Sequence, residues 1–146
     1  MVEALKEIFE RDLTQLEKEV NLYKKEGDLW LLPEGISNTA GNLCLHIAGN
    51  LQHFVGHVLG GTNYKRDRNA EFSQKNIPVE FLLFEIAAAK KVVSETLDKL
   101  TPEQLEANYP EEVFKRPMTT TFFLIHLAAH LNYHLGQINY HRRLLS

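Results

Sequence analysis

The stretch Thr119–Leu145, TTTFFLIHLAAHLNYHLGQINYHRRLL, decides how the chain is read. Taken as one helix, it carries His126, His130, His134 and His141, four of the seven histidines, at spacings of four, four and seven. Residues four apart on a helix lie one above the other, with Cβ atoms roughly 5–6 Å apart, so two imidazoles at i and i+4 can converge on one small ion. His126/His130 and His130/His134 are both such pairs. A pair is an incomplete site, because a catalytic zinc-type centre usually has three protein ligands and an open position. The third ligand has to come from elsewhere in the chain.

Working outward, the N-terminal segment places Val2, Leu5, Ile8, Phe9, Leu13, Leu16, Val20 and Tyr23 at three- and four-residue steps between charged residues, the pattern of a helix burying one stripe. Pro33 and Gly35 mark a loop that also carries Trp30. Ser37, Asn38 or Thr39 can cap a second helix, AGNLCLHIAGNLQHFVGHVLGG, which stops at Gly60-Gly61 and carries His46, His53 and His57. Thr62–Asn76 is polar, charged and aperiodic, and reads as a loop. A third long helix begins near Pro78, with Phe81, Leu82, Phe84, Ala88, Ala89, Val92, Val93, Thr96, Leu97 and Leu100 as a wide apolar face. Thr101-Pro102-Glu103-Gln104-Leu105 reads as a capped single turn, and VFKR, between Pro110 and Pro117, as an extended piece. Four long amphipathic segments without credible strand pairs predict an all-α four-helix bundle with at least one long crossover connection, in a single domain over residues 1–146.

Composition narrows the function classes. Net charge is −3 and Lys and Arg are scattered, so no basic face for nucleic acid is expected. No apolar run is long enough to span a membrane, and the amphipathic N-terminus is unlike a signal peptide, so a cytoplasmic protein without membrane attachment is expected. Cys44 is the only cysteine, which excludes an internal disulfide and a cysteine-based zinc cage. It reads as a buried small hydrophobe.

An isolated histidine on an apolar face is more often a hydrogen-bonded core residue than a ligand. Seven histidines confined to two helices, in stripes able to face each other, are harder to explain that way, because each buried ring needs partners. A metal ion supplies a partner to each lone pair. His46 and His53 are two turns apart, about 10 Å along the axis, so they cannot serve one mononuclear site. The fourth helix offers 126/130 or 130/134 and the second offers His46 or the 53/57 pair; spacing alone leaves the subset open. Gly136, close after His134, suggests a close backbone approach. No Glu-x2-His motif of a carboxylate-bridged di-iron bundle occurs.

HLAAHLNYHLGQI in the fourth helix, with its His-x3-His pair followed by Gly-Gln, and NLCLHIAGNL in the second resemble the DinB-like (DinB/YfiT) superfamily of metal-binding four-helix bundles over nearly the whole chain. The resemblance implies a divalent metal, zinc or nickel, held by His46, His130 and His134. Many members read His-Glu at the start of the pair; this chain has His130-Leu131, so no acid/base carboxylate is implied there. It further implies a metal-dependent S-transferase acting on a low-molecular-weight thiol and a small electrophile. Asn50, Gln137 and Tyr133 are candidate supporting groups, although Tyr133 reads more simply as an ordinary polar side chain on the helix surface or in the core. Trp30, Phe54, Phe122 and Phe123 are candidate pocket walls. Metal-assisted hydrolysis, or a non-catalytic stress or damage-response protein with a structural metal, are the alternatives. A homodimer is the expected assembly. A fourth protein ligand from His53, His57 or His126 would favour the structural role, and an open position beside a pocket would favour the enzyme.

Overall fold

Leu5, Phe9, Leu13, Leu16 and Val20 fall on one stripe of helix α1 (Val2–Leu22) and all are buried, as the periodicity requires. The computed structural model describes residues 1–146, and four long helices account for most of the fold. A 3₁₀ turn (Glu26–Trp30) leads from α1 to α2 (Ala40–Leu51), which Thr39 caps by accepting from the Asn42 N–H. A short α3 (Arg68–Ser73) precedes α4 (Val79–Lys99), and α5 (Pro102–Glu106) precedes α6 (Thr120–Leu145). Thr101 and Gln104 form the reciprocal capping box expected ahead of α5, and Thr119 caps α6. There are no strands beyond an isolated bridge between Asn108 and Thr119. No helix is long and apolar enough to cross a membrane.

Cross-helix contacts fix the directions. Lys6 meets Asp98 and Glu17 meets Lys90, so α1 and α4 are antiparallel. Asp12 meets Asn132 and Glu19 meets Asn139, so α1 and α6 are parallel. Gln52 meets Glu85 and Gly60 meets Thr96, so α2 and α4 are parallel. The chain between α2 and α4 must therefore run back along the bundle, and this is the crossover. It passes directly over α2: Arg66 lies over the Phe54 ring, the Glu71 carboxylate lies against Gly49, and the carbonyls of Glu71 and Gln74 accept from the Asn42 side chain. Covered by α4, α6, the crossover and Trp30, every residue of α2 is buried.

The structure departs from the sequence reading in four places. The second helix does not run on as α-helix to Gly60; it converts to a π-helical segment over Gln52–His57. There Gly56 rests on Val92, and Gly60 has Thr96 Oγ1 where a Cβ would stand, so the helix end is drawn onto α4 closely enough to take up an extra residue. Thr62–Asn76 contains α3, whose Asp67 caps it through the Ala70 N–H. VFKR is a turn, with Lys115 at φ +59°, and is not extended. The buried stripe of α4 is Leu82, Ile86, Ala89, Val93, Thr96 and Leu97, which adds Ile86 to the expected face, with Phe81 and Phe84 exposed.

Charge also ties α1 to α6. The Glu19 carboxylate is buried and accepts from Arg142 Nε at 2.6 Å and from Asn139 Nδ2 at 2.7 Å. Burial pushes its pKa up, but these hydrogen bonds and the Arg142 charge more than reverse that, and it lies below the usual carboxylate value. A depressed folded-state pKa gives stability that is present above the unfolded value of 4.5 and lost as pH falls through the folded one. Arg142→Ala should therefore destabilise the bundle by about 3 kcal/mol at neutral pH, by stranding a buried carboxylate. Urea melts of both proteins from pH 7 down to pH 3 should show the gap narrowing as Glu19 protonates.

Candidate metal centre

The site is built where α2 and α6 face each other. His46 is buried on α2, while His130 and His134, half-buried, flank the apolar stripe of α6 formed by Leu127, Leu131 and Leu135. His46 Nε2 lies 3.1 Å from His130 Nε2, which lies 3.0 Å from His134 Nε2. One ring nitrogen from each falls within 4.8 Å of the others. Two nitrogens on one ion at roughly 2.0–2.1 Å can be at most about 4.2 Å apart, so both measured separations suit a shared ion.

The far side of each ring sets the tautomer. His46 Nδ1 is 3.1 Å from Glu71 Oε1, and His134 Nδ1 is 2.7 Å from the Gln137 amide oxygen. Both partners accept, and although Arg66 Nη2, a donor, also stands 3.3 Å from His46 Nδ1, the shorter contact to the Glu71 carboxylate favours a proton there, so both Nδ1 atoms carry protons and both Nε2 atoms present lone pairs. The single N–H that neutral His130 can offer at Nε2 serves only one of them. A divalent cation would satisfy all three lone pairs at once, and the donor set fits one. Burial pushes the His130 pKa down to about 3, helped by the charges that His134 and His46 would carry. Burial likewise lowers His134, against the opposing hydrogen bond to Gln137. These rings are neutral at pH 7, the state a ligand needs.

The remaining histidines stay out of the group. His126 stacks on Phe123 and meets Phe114 edge-on, with its ring centroid 6.3 Å from that of His130. His53 and His57 stack on each other; His53 Nε2 is 3.9 Å from Glu111, and His57 Nδ1 donates to the Thr62 carbonyl. His141 is a buried structural group between the Tyr23 hydroxyl and the Leu31 carbonyl. Burial pushes the Cys44 thiol up to about 12, which suits an inert core residue. Of the proposed aromatic walls, Phe54 and Phe123 line a cavity beside the cluster, whereas Trp30 packs on Gly41 and Phe122 is exposed under Arg116.

Glu71 and Arg66 were not foreseen. Glu71 holds His46, and Arg66 holds Glu71 through Nε to Oε2 at 2.9 Å and Nη2 to Oε1 at 3.0 Å. Both lie in the aperiodic crossover; the one sequence signal was Asp67, a helix cap that sets Glu71 in the first turn of α3. The close approach was also misplaced: nothing lies within 4 Å of a Cβ built at Gly136, while one built at Gly49 would stand 2.0 Å from Glu71 Oε2. The two glycines should therefore answer oppositely in chemical denaturation. Gly136→Ala should stabilise by up to about 1 kcal/mol through helix propensity. Gly49→Ala should destabilise by about 1–3 kcal/mol, because the carboxylate must leave His46 and Arg66 to admit the methyl.

Comparison with curated proteins returns no match. The family model of the DinB superfamily matches residues 9–138, which take in His46, the crossover and the His130/His134 pair. With most of its length matched and an all-helical bundle to carry it, the chain belongs to the DinB superfamily.

Proposed function

We propose that the protein binds a divalent metal through His46, His130 and His134 and acts as a transferase that joins a small thiol to an electrophile. The observation that carries this reading is the convergence of three imidazoles, two of which, His46 and His134, are held by their outer nitrogens on Glu71 and Gln137. All-nitrogen, thiolate-free donors suit zinc or nickel. Such an ion would act as a Lewis acid that lowers the pKa of a thiol, its proton passing to solvent. The sulfur lone pair then forms the S–C bond, and the leaving group departs with the electron pair of the bond it breaks.

The chain's own contribution is positioning. Glu71, clamped by Arg66, holds the His46 ring from the crossover, and Gln137 holds His134 from its own helix. Two cavities flank the cluster. One of about 550 Å³ lies beside His134 and Gln137 and has Ile36, Leu43, Tyr140 and Leu144 in its wall. The other, of about 260 Å³, lies beside His46 and His130. A three-donor group with space on both sides supports a catalytic site over a closed structural one. Tyr133 lines the larger cavity with its side chain mostly exposed. A homodimer and a cytoplasmic location belong to the same reading; sedimentation of the purified chain tests the first.

Metal content by plasma mass spectrometry is the direct measurement. About one divalent ion per chain is expected in the wild type and in His53→Ala and His126→Ala, with loss in His46→Ala, His130→Ala and His134→Ala. A wild type that takes up no zinc or nickel on reconstitution sinks the proposal. Glu71→Gln keeps the shape but loses the carboxylate, and it should weaken metal affinity about 10–100-fold in a chelator competition.

A further inference from the structure

Helix α6 differs from the other long helices on its outward face. α1 turns Glu3, Glu7 and Glu10 to solvent and α4 turns Lys91, Glu95 and Asp98, whereas the chain from Pro117 to His141 contains no Asp, Glu, Lys or Arg. The inward stripe of α6 is core. Its outward stripe is Phe122, Ile125, Ala129, Tyr133, Gly136 and Tyr140, at steps of three and four, and all of them are exposed. Tyr133 is 65%, Tyr140 63% and the adjoining Leu144 79% exposed. A helix that is apolar on both sides is ordinarily buried on both sides, and α6 is not long and apolar enough to cross a membrane. The only cations near the stripe sit at its two ends, Arg116 over Phe122 and Arg143 over Tyr140. Aromatic and aliphatic side chains with charge left to the rim make up the core of a protein interface.

The order of the residues indicates the partner. About a point midway between Ala129 and Gly136 the stripe is nearly symmetric, with two small residues in the middle, Ile125 and Phe122 on one side, and Tyr140 and Leu144 on the other. A twofold interface must complement itself. Two α6 helices crossing antiparallel about that point set Ala129 against the partner's Gly136, Ile125 against the partner's Tyr140 and Phe122 against the partner's Leu144. The small pair lets the axes approach to roughly 8 Å, and the bulky pairs fill the ends. The exposed side chains of the stripe offer roughly 700–900 Å² per copy, enough for the roughly 800 Å² per partner of a standard interface. We propose that this face is where two copies of the chain associate, α6 against α6 and antiparallel. Tyr133 and Tyr140 belong both to the stripe and to the wall of the cavity beside His134, so each site opens along the second copy. The proposal gives the homodimer its surface and does not depend on the metal or on the thiol chemistry.

The test is sedimentation equilibrium of wild type and of variants at exposed positions. Wild type should sediment at twice the chain mass. Ile125→Lys and Tyr140→Glu each bring two unpaired charges into the interface, one from each copy, and each should weaken association at least about 100-fold. Both single variants should keep the wild-type helix content by circular dichroism, since neither side chain is buried. Ile125→Lys and Tyr140→Glu combined in one chain should restore most of the association, because the two positions lie about 22 Å apart along one helix and meet only across the twofold. A monomeric wild type overturns the proposal together with the homodimer. A wild-type dimer that neither single variant weakens leaves the homodimer standing and overturns this surface, and a double variant that stays monomeric overturns the antiparallel pairing. His46→Ala should dimerise as wild type does. A dimer that responds to the charges but takes up no metal therefore sustains the surface while defeating the functional reading.

Discussion

The hydrogen bond from His46 to Glu71 is the constraint around which the site is arranged, because it joins the most deeply buried imidazole to the one connection that runs the length of the bundle. A buried imidazole without a partner on its outer nitrogen would be free to change tautomer, and its inner nitrogen could then carry a proton where a lone pair is needed. The Glu71 carboxylate removes that freedom. Its own burial is tolerable only because Arg66 contributes two N–H groups to it, so three side chains from two segments depend on one another. Gly49 belongs to the same unit, since the carboxylate occupies the place of its missing Cβ.

That unit explains the direction of the chain. With α2 and α4 parallel, the connection between them has to travel back along the bundle, and a long connection incurs an ordering cost that contacts must offset. Here the contacts are Asn42 to two crossover carbonyls at one end, Glu71 to His46 in the middle and Arg66 over Phe54 at the other. Helix α2 can be enclosed on every side largely because Asn42 and His46, on its outer stripe, have partners waiting in the strap. Its two glycines would each cost about 1 kcal/mol in an exposed helix. They are matched to Trp30 and Glu71, which use the space.

The bundle was legible because amphipathic periodicity is a local property: the α1 stripe, the cap at Thr101 and the choice of cap among Ser37, Asn38 and Thr39 follow from residues within a few positions of one another. His46, His130 and His134 do come together, which spacing permitted on α6 and the resemblance selected on α2. What was missed is long-range. Glu71 looks like any acidic loop residue until the crossover is laid over α2, and Arg66 acquires its role only from Glu71. Gly136 was expected to mark a close approach, but it lies on the open side of α6 while Gly49 holds the tight contact; a glycine's cause is the neighbour it admits, and the sequence does not name neighbours. The π-helical segment after Leu51 is of the same kind, since the pull comes from α4.

The polar stripe of α2 links these points to chemistry. Three residues at helical spacing meet three different environments: Asn42 is fully engaged by the chain, His46 is engaged on one side only, and Asn50 Oδ1 is not engaged. The gradient follows the crossover, which lies close over the start of α2 and leaves a cavity where Arg66 bends toward Phe54. Closing that cavity with an apolar side chain at Asn50 would remove an unpaired acceptor, and would be the change expected if stability alone shaped the helix. The helix instead carries that unmet hydrogen bond at Asn50, a local cost borne within one turn of His46 and the converging imidazoles.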